Sequence, residues 1–267
     1  MTIGRPMSAH FEPHALPGTL ADKVTAAALL LGEIAREFSP ATFANSLGAE
    51  DMVLTDLIRQ DALAIEIFSL DTGRLPQETH TLMQELELRY GFKLKLYCPR
   101  HELIEDYASR YGSNAFYESV ELRGACCRVR KVEPLQRALA GQRAWITGLR
   151  AQQMPSRNGL PLRQFDEANG LEKFNPLADW SEQEVWAYLR SRGVPYNALH
   201  DQHYPSIGCT PCTRPVAAGE ELRAGRWWWE SAATKECGLH RIPVAARTPA
   251  ECAAEQNETG REALRTR

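Results

Sequence analysis

The 267-residue sequence has no apolar run near the roughly 18 residues that a membrane-spanning helix needs. Its first twenty residues lack the apolar core and cleavage site of a signal peptide. It also lacks a basic excess: 31 Lys and Arg stand against 34 Asp and Glu, a formal net charge of −3. No global positive field therefore attracts nucleic acid. These absences predict a cytoplasmic protein without membrane or nucleic-acid partners, in which any anion site is local.

Seven cysteines are present, and a reducing compartment argues against a disulfide framework. Four of them form two pairs, Cys126-Cys127 and Cys209-x-x-Cys212, which supply the four sulfurs of a tetrahedral zinc site or a four-iron cluster. Adjacent cysteines on a helix diverge by about 100°, which suits an iron–sulfur cube better than one small ion. A zinc site remains the alternative. A redox CxxC is less suited, because this pair does not open a helix after a strand.

Strand and helix patterns alternate over the first 150 residues and are joined by short turns. This alternation predicts a doubly wound, mostly parallel α/β sheet, followed by an irregular cysteine-rich segment near the C-terminus. We expect one domain over residues 1–240, with its core at 20–240, a surface excursion at 152–170 and a mobile tail at 241–267. The predicted strands are 41–47, 64–70, 92–97 and 144–147, and the predicted helices are 20–38, 50–59, 75–90, 101–110, 127–140 and 185–192.

Ligands of such sheets bind outside the carboxyl ends of the strands. Three loops should meet there, and each contains glycine; taken singly, each glycine is equally well explained by a tight turn. The first loop is placed like a phosphate-binding loop but lacks its lysine. It carries Glu50 and Asp51 instead, which also suit the first turn of a helix. The candidate ligand-binding residues of the three loops are Ser46, Gly48, Leu70, Gly73, Gly148 and Arg150.

Cys237 has no cysteine close by in the sequence. Lys235 and His240 flank it, and Arg223 and Arg226 lie shortly upstream. Such an electropositive setting lowers a thiol pKa and favours a nucleophile. The alternative, an inert buried cysteine, fits the polar neighbours poorly. We therefore predict that Cys237 is catalytic.

Six motifs in order make the sequence similar to a known family. They are CCRVRKVEPL (126–135), TGLR (147–150), KFNPLADW (173–180), YPSIGCTPCTR (204–214), AGRWWWE (224–230) and KECGLH (235–240). Together they resemble the assimilatory adenylyl-sulfate reductases, the cluster-bearing branch of the phosphoadenylyl-sulfate reductase family. The resemblance covers about residues 40–240 and implies a sheet of the adenine nucleotide alpha hydrolase-like, or PP-loop, type. One departure is Ala151, where many relatives have a second arginine.

The resemblance implies an oxidoreductase of sulfate assimilation. In such an enzyme Cys126, Cys127, Cys209 and Cys212 hold one [4Fe-4S] cluster. Cys237 attacks the sulfur of adenosine 5′-phosphosulfate, AMP leaves, and reduced thioredoxin, supplied in trans, releases sulfite from the S-sulfocysteine. The residues that would bind the substrate's anionic groups are Lys131, Arg223, Arg226 and His240.

Several alternatives stay open at this point. The substrate could carry a 3′-phosphate, or both nucleotides could be used. A zinc-stabilised binding module would explain four cysteines but gives Cys237 no role. An ATP-dependent nucleotidyl transferase is disfavoured, because the first loop has no lysine. The sequence also leaves a homo-oligomer open.

Overall fold

The computed structural model of the protein describes residues 18–153 and 159–231. Cys237, His240 and the expected tail at 241–267 lie outside these ranges, as does the expected domain boundary after residue 240. The helices are α1 (Gly18–Glu37), α2 (Ala49–Gln60), α3 (Gln77–Tyr90), α4 (His101–Tyr111), α5 (Val120–Cys127), α6 (Glu133–Leu139) and α7 (Glu182–Arg192). The strands are β1 (Ala41–Ala44), β2 (Ile65–Leu70), β3 (Lys95–Tyr97), β4 (Ala144–Ile146), β5 (Arg163–Asp166) and β6 (Leu171–Phe174).

The strands form one sheet in the order β3-β2-β1-β4-β6-β5. All neighbouring pairs are parallel except β5 with β6. β1 lies near the centre, where Phe43 faces Ile67 of β2 and Ile146 of β4. The predicted mostly parallel α/β fold is confirmed. The loops after β1, β2 and β4 therefore meet at one edge of the sheet.

The edge of the sheet differs from the prediction. Residues 152–170 were expected to be a surface excursion, but Arg163–Asp166 and Leu171–Phe174 form an antiparallel hairpin that extends the sheet. Its turn places Gly170 at φ +70°, and the Gly170 amide donates to the Asp166 carbonyl at 2.7 Å. The sequence does contain a signal for this hairpin, Asn169-Gly170, which is a frequent pair in hairpin turns. The strand itself was missed because β5 lies at the edge of the sheet and is largely polar, so it lacks the apolar pattern of a buried strand.

The helix predicted at 127–140 is two helices joined by a π-helical turn over Arg128–Val132. Pro134 follows this turn and has no N–H to continue the regular hydrogen-bond ladder. The turn widens the helix directly after Cys127. Arg130 and Lys131 both lie in it.

Helix α2 is buried along most of its length and is fixed between its neighbours. The Asp56 carboxylate accepts hydrogen bonds from the hydroxyls of Tyr90 and Tyr188, each at 2.7 Å. These bonds tie α2 to the last residue of α3 and to α7. The N-terminus of α2 is thereby held at the edge of the sheet where the loops meet.

The longest described helix, α1, has 20 residues and includes charged positions such as Asp22, Lys23, Glu33 and Arg36. Within residues 18–153 and 159–231, no helix combines the length and apolarity needed to cross a bilayer. A capping box opens α7: the Ser181 and Glu184 side chains each accept a hydrogen bond from the other's backbone amide.

Candidate active site

A cavity of about 600 Å³ lies at the carboxyl edge of the sheet, between the loops after β1, β2 and β4. Most of the predicted binding residues line it: Ser46, Gly48, Leu70, Lys131, Gly148, Arg150, Arg223 and Arg226. Gly73 is not part of this lining, although the neighbouring Thr72 is. Gly73 instead occupies a left-handed turn at φ +68°, with the Arg130 guanidinium 3.4 Å from where its Cβ would be.

Asp51 connects two of the three loops. Its carboxylate accepts from the backbone amide and the hydroxyl of Ser46, both at 2.6 Å, and from the backbone amide of Gly148. A Cβ on Gly148 would lie 2.1 Å from the Asp51 Oδ1 atom, so only glycine allows this approach. Burial raises the pKa of Asp51 to about 7, against the lowering effect of these hydrogen bonds.

Glu50, the preceding residue, makes a second connection between the same loops. Its carboxylate lies 2.8 Å from the Arg150 guanidinium, and both side chains are largely buried. Arg150 also donates to the Trp180 carbonyl at 3.4 Å. Because Glu50 balances its charge, Arg150 brings hydrogen-bond donors to the cavity rather than net positive charge.

The same cavity is also lined by the cationic side chains of Lys131, Arg223 and Arg226. Arg226 is 5% exposed, and its Nε has no hydrogen-bond partner among the described residues. The chain makes room for this guanidinium at Gly208, where a Cβ would lie 2.2 Å from it. Cations in a site shielded from water are suited to a ligand that carries more than one negative group.

A second, smaller cavity brings all four paired cysteines together. Cys127 ends α5, while Cys209 and Cys212 flank a 3-10 turn. Electrostatic contact links Cys126 to Cys209, Cys209 to Cys212, and Cys212 to Cys127. Cys209 is further held by the Thr72 hydroxyl at 3.2 Å. Two sequence pairs 82 residues apart thus meet across the fold.

Basic side chains surround these thiols: Arg74, Arg123, Arg130 and Lys131 line the same cavity. Arg130 hydrogen-bonds Cys126, and Arg123 hydrogen-bonds Cys127. Burial raises the pKa of Cys126, and it raises that of Cys212 to about 12. Four thiolates in this place therefore need compensating positive charge, from the surrounding cations and from a bound metal group.

The donor set is one that either a four-iron cluster or a tetrahedral zinc ion takes. Four sulfurs line the cavity without a histidine or carboxylate ligand beside them. Within the described part of the chain, no group of three or more histidine, cysteine, aspartate or glutamate side chains is arranged to hold a metal ion. A single zinc needs four ligands within about 2.3 Å of one point, whereas a cube accepts sulfurs at separate corners.

The two cavities share a wall made of Lys131, Cys209 and Trp227. Lys131 follows Cys126 and Cys127 closely in the sequence, and the structure places it in both linings. The neighbouring tryptophans differ in exposure, since Trp227 is 1% exposed and Trp228 is 40% exposed.

His200 also lines the larger cavity, although no sequence motif singles it out. It lies on a 3-10 turn and packs edge-on against Trp186, with ring centroids 5.1 Å apart. Burial lowers the pKa of His200 below its ordinary value, and its Nε2 has no partner among the described residues. A lone histidine in an irregular segment carries no motif, so only the fold reveals it.

The fold and the site define an enzyme of one particular family. Residues 40–215 match the family described as phosphoadenosine phosphosulfate reductase domain, and the chain belongs to that family. Over 243 residues it is 58% identical to the adenosine 5′-phosphosulfate reductase of Allochromatium vinosum, covering 91% of this chain and 95% of that one. The predicted adenylyl-sulfate reductase resemblance is thereby confirmed.

Solved structures agree with the fold. The phosphoadenylyl-sulfate reductase of Candida auris, solved with phosphate, superposes with a TM-score of 0.62 at 26% identity and covers 76% of this chain and all of that one. A mutant FMN adenylyltransferase of Candida glabrata has a TM-score of 0.53 at 16% identity, over 90% of this chain and 81% of that one. The second similarity concerns the fold alone and agrees with the predicted PP-loop type.

Proposed function

We propose that this chain reduces adenosine 5′-phosphosulfate to sulfite and AMP in the cytoplasm, with electrons from reduced thioredoxin supplied in trans. The observation that carries the proposal is the arrangement of the larger cavity. Its lining combines residues of the three glycine-containing loops with the cationic side chains of Lys131, Arg223 and Arg226. The names of the relatives agree with this substrate.

In the proposed complex the adenosine occupies the mouth of the sheet, beside Ser46, Gly48, Leu70 and Gly148. Gly73 does not touch the substrate but allows the left-handed turn of the second loop. Arg150 contributes hydrogen-bond donors while it is paired with Glu50. The phosphate and sulfonate point toward Lys131, Arg223 and Arg226, with His240 completing the anionic subsite. Each charge-assisted contact there is worth on the order of 2 kcal/mol.

The chemistry proceeds in two displacements. The Cys237 thiolate attacks the substrate sulfur, the bond from sulfur to the phosphate oxygen breaks, and AMP leaves with that electron pair. A thioredoxin thiolate then attacks the Cys237 sulfur and expels sulfite, and its second thiol resolves the mixed disulfide. The two electrons come from the thioredoxin dithiol, which ends as a disulfide. Lys131, Arg223 and Arg226 stabilise the charge that accumulates as one anion attacks another.

One [4Fe-4S] cluster would be held by Cys126, Cys127, Cys209 and Cys212. When bound, the cluster supplies a fixed electrostatic and positional element beside the substrate, while the electrons come from thiols. Lys131 lines both cavities and would orient the anionic end of the substrate relative to the cysteine cavity.

The 3′-phosphorylated nucleotide is the second candidate substrate, because the matching family and the Candida auris enzyme are named for it. Either nucleotide, or both, would be bound by the same cavity. Labelling of the protein by each of the two nucleotides, compared directly, decides between them.

The test uses anaerobically purified protein incubated with ³⁵S-labelled adenylyl sulfate without reductant. We expect a brown protein with about four irons per chain that retains label, and thioredoxin should release the label as sulfite. Cys237→Ser should keep the iron and lose the label. Cys98→Ser is the matched control, because Cys98 is exposed and lines neither cavity.

Three outcomes would contradict the proposal in different ways. Label retained by Cys237→Ser would overturn the assignment of Cys237 as the nucleophile. Label taken only from the 3′-phosphorylated nucleotide would change the substrate. A colourless protein that contains zinc would contradict the proposed cluster and favour the zinc-stabilised binding module.

A further inference from the structure

Trp227 lies between the two cavities and is almost fully buried, at 1% exposure. Its backbone has φ +42°, a left-handed conformation that a bulky side chain rarely adopts. Such strain persists only where the surrounding structure over-determines it, and it is concentrated at functional sites. The position of this indole is therefore strongly specified.

Three guanidinium groups lie within cation–π distance of this one ring. The guanidinium carbons are 4.5 Å (Arg123), 4.9 Å (Arg226) and 5.8 Å (Arg223) from the ring centroid. Arg123 is a fixed element, since it forms a buried ion pair with Glu230, with one N–O distance of 2.9 Å. Arg223 and Arg226 face the larger cavity. The same indole ring is therefore in contact with a fixed cation and with the two cations of the proposed anionic subsite.

The backbone around Trp227 is attached to the cysteine pair. The Trp227 amide donates to the Cys212 carbonyl at 3.3 Å, and Arg226 forms an isolated antiparallel bridge with Thr213. Gly208, which precedes Cys209, provides the space for the Arg226 guanidinium. The position of Arg226 thus depends directly on the segment that carries Cys209 and Cys212.

From these contacts we infer that Trp227 is a positioning residue. Its indole ring holds Arg223 and Arg226 in place for the anionic groups of the substrate, and its backbone sets their position relative to the cysteine cavity. This inference rests on the proposed function, because it concerns the same anionic subsite. Cation–π attraction in a desolvated site is strong enough to fix a guanidinium that would otherwise sample several rotamers.

Trp227→Leu tests the role of the ring, and Trp227→Phe is the conservative variant. Trp228 provides the matched control as the next residue of the same type, since it is 40% exposed and lines neither cavity. With adenylyl sulfate we expect Trp227→Leu to lower kcat/KM about 30-fold, mainly through KM. Trp227→Phe should lower it only about threefold, because a benzene face attracts cations less strongly than indole. Trp228→Leu should match the wild type.

Two readouts that do not depend on turnover accompany the kinetics. Iron content and visible absorbance should be kept by Trp227→Phe. Calorimetric binding of adenylyl sulfate is measured in a Cys237→Ser background, where turnover is blocked, and should weaken about tenfold or more on adding Trp227→Leu. Adding Trp228→Leu should leave this binding unchanged.

Equal kcat/KM and equal affinity for the Trp227 and Trp228 variants would overturn the inference while leaving the proposed function intact. If Trp227→Leu loses its iron, the inference is tested with Trp227→Phe instead. A kcat/KM of Trp227→Phe equal to that of Trp228→Phe would then overturn the inference. If the Cys237→Ser protein with both tryptophans intact fails to bind adenylyl sulfate, the proposed function itself fails, and that result is distinguishable from the others.

Discussion

Asp51 is the carboxyl group whose protonation should be visible in the stability of the whole protein. Burial raises its pKa from the ordinary 3.8 to about 7 in the folded state. The folded protein therefore holds this proton more tightly than the unfolded chain does. The stabilisation from the bound proton is fully present below about pH 4 and is lost as the pH rises through about 7. Asp51→Asn keeps the shape of the side chain and removes this titration.

The size of the effect follows from the pKa difference. About three pH units at about 1.4 kcal/mol each give roughly 4 kcal/mol lost by the wild type between about pH 4 and pH 8, relative to Asp51→Asn. For a domain of this size, that loss corresponds to roughly 10 °C in Tm. The two proteins should therefore unfold at similar temperatures near pH 4 and diverge as the pH rises, with Asp51→Asn the more stable near pH 8.

The measurement is thermal unfolding under anaerobic conditions at a series of pH values from about 4 to 8. Asp61→Asn is the control, since Asp61 is an exposed carboxylate that ends the same helix. Its Tm should follow the wild type throughout. Parallel Tm curves for the wild type and Asp51→Asn would refute the reasoning, because they would show that Asp51 binds its proton equally well in both states.

Two further substitutions test how the fold supports the cavity. Gly148→Ala should cost about 1–3 kcal/mol of stability and weaken nucleotide binding measured by calorimetry, because the new Cβ would meet the Asp51 carboxylate. Gly32→Ala, where a Cβ meets nothing within 4 Å, is its control and should not destabilise. Asp56→Ala should cost about 2–4 kcal/mol in urea unfolding, because it removes the acceptor of the buried Tyr188 hydroxyl and of the partly buried Tyr90 hydroxyl. Urea midpoints equal to the wild type would contradict that assignment.

The sequence predicted the location of the site better than the contacts within it. Alternating strands and helices sufficed to bring the three loops to one edge, because parallel strands leave few other topologies. Lys131 could be placed near both cavities because helical spacing is local information. The turn just before Pro134 had a readable signal too, since proline in a predicted helix indicates a break.

Contacts between side chains that are far apart in the sequence could not be predicted from local patterns. Glu50 and Asp51 were explained by the helix dipole, whereas the structure uses them to hold Arg150 and Gly148, about 100 residues away in the chain. Ser46 was expected to bind ligand, yet its hydroxyl donates to Asp51. No local pattern records which polar groups become neighbours after the sheet forms. Residues of the right chemical type can therefore be selected correctly while their immediate partners remain unknown.

The shared wall bears on how a chain of net charge −3 would hold the proposed cluster and an anionic substrate side by side. Two like charges 6 Å apart repel each other by roughly 3 kcal/mol at an effective dielectric constant of 20, so a cluster held by four thiolates would oppose a nearby anionic substrate. Basic residues line both cavities: Arg123 and Arg130 lie in the cysteine cavity, Arg223 and Arg226 lie in the larger cavity, and Lys131 is common to both. Since each cavity depends on cations placed by the same segments, disturbing either cavity should alter binding in the other.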